Sequence, residues 1–286
     1  MRRLLAAAAM ALLVAAPWPA AAQEDTLSKI KRTGAITIGY TEGSAPFSAV
    51  GAKGTPEGYS IDLCLRIADG VKRELALASL DVRFAKVTAE NRIDHVVNGS
   101  VDIECGTTTK TLSRMQQVDF TALTFLDGGS LLVSTAAGIH KITDLSGKRV
   151  AVIPSTTTER AMQDVVKKLS IPNVMLSAVK DHAEGLAALD AGRVEAYASD
   201  RTLLIGLART SKDPGKLTLL EAFISYEPYA LMIRRGDVGF RLAADRVLAR
   251  LYRSAEVVPI YEKWFGPFPE GTNLIAALYV LNSVPE

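Results

Sequence analysis

Four polar clusters carry residue types suited to holding a small charged molecule. Gly106-Thr107-Thr108-Thr109 is followed by Arg114. Threonine hydroxyls and exposed backbone N–H groups can contact both ends of a zwitterion. An arginine within reach can fork onto a carboxylate with two parallel hydrogen bonds. The same residues also suit a polar turn with a solvated arginine. Ser155-Thr156-Thr157-Thr158-Glu159 opens a helix. Its free N–H groups and positive dipole end attract anions, and its Ser and Thr residues equally suit an ordinary N-cap. Asp200, at a strand end, can pair with an ammonium group, or cap a helix from Thr202 onward. Asp181-His182 reads as a cap pair at a helix start.

Signals for bond-making chemistry are weak. The chain contains no G-x-S-x-G elbow and no H-E-x-x-H pair. No G-x-x-x-x-G-K-[ST] loop is present to cradle phosphate. His95, His140 and His182 are scattered, with no ligand-spaced pair, so neither a metal nor a cofactor is expected. These absences favour binding over catalysis, and no catalytic residue is assigned.

Composition narrows the partners. Arg2 and Arg3, the apolar run Leu4–Ala16 and the small residues Ala20-Ala21-Ala22 read in order as a secretory signal peptide cut after Ala22. No cysteine follows the cleavage position, so no lipid anchor is expected there. Losing Arg2 and Arg3 leaves 31 basic residues against 31 acidic ones. Such neutrality argues against nucleic acid or an anionic membrane as partner. With 48% hydrophobic residues the chain is of globular composition. Nothing signals an oligomer, so a monomer is expected.

Strands and helices alternate along the chain. Ala35–Tyr40 reads as a strand. Tyr59 to Leu77 reads as a helix with Ile61, Leu65, Ala68 and Val71 at helical spacing. Leu80, Val82 and Phe84 alternate as in a half-buried strand. A helix is expected from Thr88 to Asn98-Gly99, with Ile93, Val96 and Val97 on its buried face, then a strand over Val101–Cys105. After Gly128-Gly129 the pattern begins again, with strands at 131–133, 149–153, 174–179 and 194–198. The helices between them run from Glu159 to Leu169, burying Met162, Val165, Val166 and Leu169, and around Leu186 and Leu189. Asp200 falls just past the last of these strands. Tyr229–Ile233 and Phe240–Leu251 close the series as strand and helix. Such alternation predicts two α/β lobes with parallel-rich sheets flanked by helices. The polar clusters lie at carboxyl ends of strands, where such sheets bind ligands.

In order and spacing, these segments resemble the family 3 extracellular solute-binding proteins of amino-acid ABC transporters. The likeness runs through Ala45-Pro46-Phe47-Ser48, Glu57-Gly58-Tyr59-Ser60-Ile61-Asp62, Asn91-Arg92-Ile93 and Asn98-Gly99. It continues through Asp102-Ile103-Glu104-Cys105-Gly106 to Thr109 with Arg114, Lys180-Asp181-His182 and Tyr261–Phe265. The pattern is most similar to that of glutamate/aspartate-binding proteins. The resemblance implies a type II periplasmic binding protein fold with two hinge crossovers. Residues 23–126 plus 228–286 would form one lobe and 127–227 the other. The ligand would sit between them, to be delivered to a membrane permease from the periplasm.

The resemblance also implies roles. Arg114, Thr109 and Thr157 would hold an α-carboxylate, and Asp200 and Thr107 an α-ammonium. Thr41, Ala89, Arg92, Thr158 and His182 would meet the side chain. Relatives of that pattern carry arginine where this chain has Thr41, and serine where it has Ala89. A hydrogen bond to a buried charge contributes roughly 1.5–3 kcal/mol, about one to two decades of affinity. Losing one is enough to change ligand preference, but Arg92 and a protonated or donating His182 favour an acidic or amide side chain, so glutamate or aspartate is the first expectation and glutamine or asparagine the next. Cys64 and Cys105 fall in one lobe and are expected to form a disulfide. The competing reading is an enzyme on the same fold, such as a cyclohexadienyl or arogenate dehydratase. His182 and Glu159 would be its candidate general acids, whereas the Arg114–Asp200 pair points to simple capture.

Overall fold

A computed structural model describes residues 24–268 and 273–285. The export signal expected at residues 1–22 lies outside the described residues. The chain opens with α1 (Thr26–Thr33), β1 (Ala35–Tyr40), the short strands β2 (Ala49–Val50) and β3 (Pro56–Glu57), α2 (Tyr59–Glu74) and β4 (Asp81–Lys86). Next come α3 (Arg92–Val97), β5 (Ile103–Glu104) and β6 (Val118–Asp127). The middle holds β7 (Gly129–Ser134), β8 (Arg149–Val152), α4 (Thr157–Lys168), β9 (Met175–Ala178), α5 (His182–Asp190), β10 (Ala196–Asp200), α6 (Arg201–Thr210) and β11 (Leu217–Leu219). The chain returns through β12 (Glu227–Arg234), α7 (Val238–Arg253), α8 (Val257–Phe265) and α9 (Leu274–Leu281).

The strands form two five-stranded sheets, in the orders β4-β1-β5-β12-β6 and β11-β7-β10-β8-β9. In the first, β1 runs parallel to β4 and β5, while β12 is antiparallel to β5 and β6. In the second, β8 is parallel to β9 and β10, while β7 is antiparallel to β10 and β11. Each sheet is the centre of one lobe of a type II binding-protein fold. The chain passes between lobes twice, from β6 to β7 and from β11 to β12.

Glycine makes the first crossing possible. A Cβ on Gly128 would lie 2.5 Å from the Phe223 ring, and one on Gly129 2.3 Å from Ser225 Oγ. The two crossing segments thus pass too closely for any larger residue. Gly58, at φ 141°, precedes α2 for a similar reason, since a Cβ there would meet the Phe47 carbonyl at 2.1 Å.

Several elements differ from the sequence expectation, each for a packing reason. The buried face of α2 runs through Ile61, Cys64, Ile67, Ala68 and Val71, whereas Leu65 turns outward. Strand β4 sits at a sheet edge and is half-buried as expected, with Phe84 36% exposed against Tyr40 and with Leu80 and Val82 packed on the core. Residues Thr88–Asn91 form a turn closed by reciprocal hydrogen bonds, Thr88 N–H to Asn91 Oδ1 and Asn91 N–H to Thr88 Oγ1. Helix α3 consequently starts at Arg92, and Val97 faces out. Leu169 caps α4 from the surface rather than packing beneath it.

Strand β5 sorts its neighbours by alternation. Ile103 and Cys105 enter the core beneath α2, while Glu104 takes the opposite face. Cys105 thereby meets Cys64 of α2 and forms a disulfide, with Cα atoms 6.4 Å apart. Closing a loop of 41 residues restrains the unfolded chain by about 4 kcal/mol on the chain-entropy model. The double variant Cys64→Ser/Cys105→Ser is expected to lose about 2–4 kcal/mol of unfolding free energy. Urea denaturation of oxidised wild type against the variant measures this, and coincident midpoints would contradict it.

Candidate functional site

A cavity of about 330 Å³ lies between the lobes at the carboxyl ends of β1, β8 and β10. Thr41, Ala89, Arg92, Thr107 and Thr109 line it from the first lobe, and Thr157, Thr158, His182 and Asp200 from the second. Ala89 packs against the second lobe's core and Leu203 joins the first lobe's. Arg114 does not reach the lining. It is buried behind Thr109, donating Nη1–H to the Thr109 carbonyl at 2.8 Å and Nη2–H to the Ser155 carbonyl at 3.4 Å. Burial, with Arg92 nearby, lowers its pKa to about 10, so it stays charged at neutral pH.

Asp200 is the last residue of β10 and the N-cap position of α6, yet its side chain does not cap that helix. Asp127 instead accepts the Thr202 N–H, at 3.1 Å. The Asp200 carboxylate faces the cavity, accepting the Thr158 hydroxyl at 2.9 Å and the Tyr229 hydroxyl on its other oxygen. Neither donor is a cation. Burial, then the neighbouring Glu227 and Asp127 carboxylates, push its pKa up to about 7.

Helix α4 bears out the N-cap reading of its start and leaves the two threonines that follow on the cavity. Thr156 is the N-cap, accepting the Glu159 N–H, while Glu159 returns its carboxylate to the Ser155 N–H at 2.9 Å. Thr157 and Thr158 are released toward the cavity. Thr157 donates to Glu227 Oε2 at 2.7 Å, and Thr109 donates to the same oxygen from the other lobe.

Asp181 caps α5, accepting the Glu184 N–H. That leaves His182 to line the cavity, its Nδ1 2.7 Å from the Tyr197 hydroxyl. Burial outweighs the attraction of Asp181, and Arg92 adds to it, so the pKa of His182 falls to about 4. The imidazole is neutral at physiological pH.

Sequence reasoning missed Glu104, Glu227, Tyr197 and Tyr229. The signal for Glu227 was a lone carboxylate opening an apolar strand, followed by Pro228. That for Glu104 was the second of two acids alternating with apolar residues in Val101–Cys105, with a glycine two residues on along the same strand face. A Cβ on Gly106 would in fact collide with Glu104 Oε1 at 2.3 Å.

Among the described residues no cluster of His, Cys, Asp and Glu could hold a metal, and no helix is long and apolar enough to cross a membrane. Residues 36–267 match the family model of bacterial extracellular solute-binding proteins, family 3. An L-glutamate/L-aspartate-binding protein of Pseudomonas aeruginosa is 41% identical, covering 95% of this chain and 90% of its own length. A glutamate/aspartate import solute-binding protein of Salmonella typhimurium is 34% identical, over 87% and 83% of the two chains. The solved structure of an ancestral arginine-binding protein bound to arginine superposes with a TM-score of 0.72 at 26% identity, covering 82% of this chain and 99% of that one. With the two-sheet fold and the interlobe cavity, these likenesses identify the chain as a member of the bacterial extracellular solute-binding proteins, family 3.

Proposed function

We propose that the protein captures an α-amino acid with an acidic or amide side chain in the interlobe cavity and delivers it to the permease of an ABC transporter. One observation carries this reading. Asp200 presents a buried carboxylate whose hydrogen-bond donors are all hydroxyls and whose charged neighbours include two further carboxylates. Such a group is stabilised by an incoming ammonium. The α-carboxylate then falls to Arg114, Thr109 and the start of α4 at Thr157. Arg114 spends two of its five N–H donors on the Thr109 and Ser155 carbonyls and attracts the carboxylate through its charge from behind Thr109. Thr107 adds to the ammonium contacts. Thr41, Ala89, Arg92, Thr158 and His182 surround the side chain. The names of the Pseudomonas and Salmonella relatives support glutamate and aspartate as members of the ligand class.

The protein acts in the periplasm as a monomer, without catalysis. Both candidate general acids of a dehydratase reading are otherwise engaged. His182 is neutral and tied to Tyr197, and Glu159 caps its own helix. A transport role fits the naming of the relatives.

Calorimetric titration of the mature protein with glutamate, aspartate, glutamine and asparagine tests the reading, with 2-oxoglutarate and glutarate as ligands lacking the ammonium. At least one amino acid is expected to bind and neither control to do so. Equal binding of 2-oxoglutarate would remove Asp200 from its role. Arg114→Ala is expected to abolish binding of every amino acid, whereas Arg92→Ala discriminates among side chains. If both variants lose all ligands equally, the division of the cavity is wrong.

Affinity is also expected to depend on pH. The pKa of Asp200 is raised in the free protein, and an ammonium partner favours its ionised form. Binding is therefore strongest above about 7 and weakens as pH falls through that value, by up to about tenfold per unit. Titrations at several pH values measure this slope. In Asp200→Asn the slope disappears along with most of the affinity.

A further inference from the structure

Among the described residues, three buried side-chain polar atoms lack a hydrogen-bond partner, namely Thr41 Oγ1, Arg92 Nε and Glu104 Oε1. They belong to one place. A Cβ built on Gly106 would stand 2.3 Å from Glu104 Oε1 and 3.3 Å from Thr41 Oγ1, so both oxygens flank the same glycine. Arg92 is the charge that most favours the ionised form of Glu104, although the two form no direct ion pair. Thr41 and Arg92 line the cavity, and Glu104 stands fully buried behind Gly106. Its other oxygen accepts the Thr108 hydroxyl at 2.6 Å, which fixes the carboxylate against the cavity wall.

The charge at this end of the cavity is balanced. Lys86 pairs with Glu42 at the rim. Lys180 is followed on the lining by Asp181. His182 is neutral, and Arg92 has Glu104 behind it. A ligand carboxylate here would meet one cation already offset by a buried anion. It would also bring only acceptors to a place whose unpaired atoms include an acceptor. A carboxamide brings both kinds of group without net charge, with an oxygen for Arg92 and an NH₂ for the Thr41 hydroxyl, while Glu104 acts from behind Gly106.

We propose that Glu104 is a positioning residue that offsets Arg92 and turns the distal end of the cavity toward a neutral carboxamide, so that the protein captures glutamine or asparagine in preference to glutamate or aspartate. This rests on the amino-acid reading above and names the member of the ligand class. Burial raises the pKa of Glu104, and Arg92, the Thr108 hydroxyl and Arg114 act against that rise.

Calorimetric competition among the four amino acids tests it, on wild type, Glu104→Gln and Thr41→Arg. Wild type is expected to bind an amide more tightly than the matching acid. Glu104→Gln is expected to weaken the amide and strengthen the acid, moving their affinity ratio by about tenfold, the scale of one hydrogen bond to a buried charge. A merely structural role would weaken both ligands together. Thr41→Arg adds a cation opposite Glu104 and is expected to move the ratio the same way, which keeps the test open if Glu104→Gln does not fold. Wild-type preference for the acid, or variants that leave the ratio unmoved, would overturn the proposal while leaving amino-acid capture standing. Failure of wild type to bind any of the four would overturn both.

Discussion

Three carboxylates stand where the two crossing segments meet, Asp200 and Glu227 buried and Asp127 partly so, and the cleft is organised around solvating them. The cost of taking one charge from water is several kcal/mol, so each oxygen must find a donor. Asp127 accepts the N–H groups of Gly128 and Thr202. Asp200 takes the hydroxyls of Thr158 and Tyr229, and Glu227 those of Thr109, Thr157 and Ser225. Hydroxyls and amides satisfy hydrogen bonding but bring no positive charge. The negative potential left at Asp200 is what an ammonium answers, with Arg114 supplying the opposite pole a short distance behind Thr109.

The same network ties the lobes together. Tyr229 belongs to the first sheet and Asp200 to the second, yet they share a hydrogen bond. Thr109 and Thr157 approach from opposite lobes, their hydroxyls 3.3 Å apart, and both donate to Glu227 on the returning strand. Beneath them Phe47, Phe125 and Tyr229 pack with centroids 4.9 to 6.2 Å apart. A cleft built so can hinge about β6 and β12 without disturbing either core.

Strand periodicity made the two sheets legible, because alternation between a core face and a helix-covered face is written in β-branched residues. The elements that escaped include the ten-residue strand β6 and helix α6 as well as short or terminal ones. Helix α1 buries only Thr26 and Ile30, too few for a recognisable face. Helices α8 and α9 are largely apolar, so periodicity could not separate a helix from a strand. In the site, Thr157, Thr158 and Asp200 were visible because they stand at element ends, where polar residues have ambiguous jobs. The structure divides those jobs, giving the capping to Thr156 and Asp127. Glu104 and Glu227 were invisible as site residues because a carboxylate in a sequence reads as exposed. Only the three-dimensional neighbours reveal that these two are enclosed.

The cavity therefore has two ends of different physical character. At one, the carboxylates and Arg114 are held by crossing strands and by capped helix starts. Moving any of them would expose a buried charge or break the hinge, so this end is fixed by the fold itself. At the other, Thr41, Ala89 and His182 sit on a loop, a turn and a helix start. Arg92 and Glu104 meet there as a cation and an anion whose balance one residue can change. Selectivity between a carboxylate and a carboxamide differs by one proton-bearing group, and a cavity senses it through its local charge and unpaired donors. On the proposed division, a change at a position such as Thr41 alters which side chain is accepted while the Asp200 and Arg114 end stays unchanged.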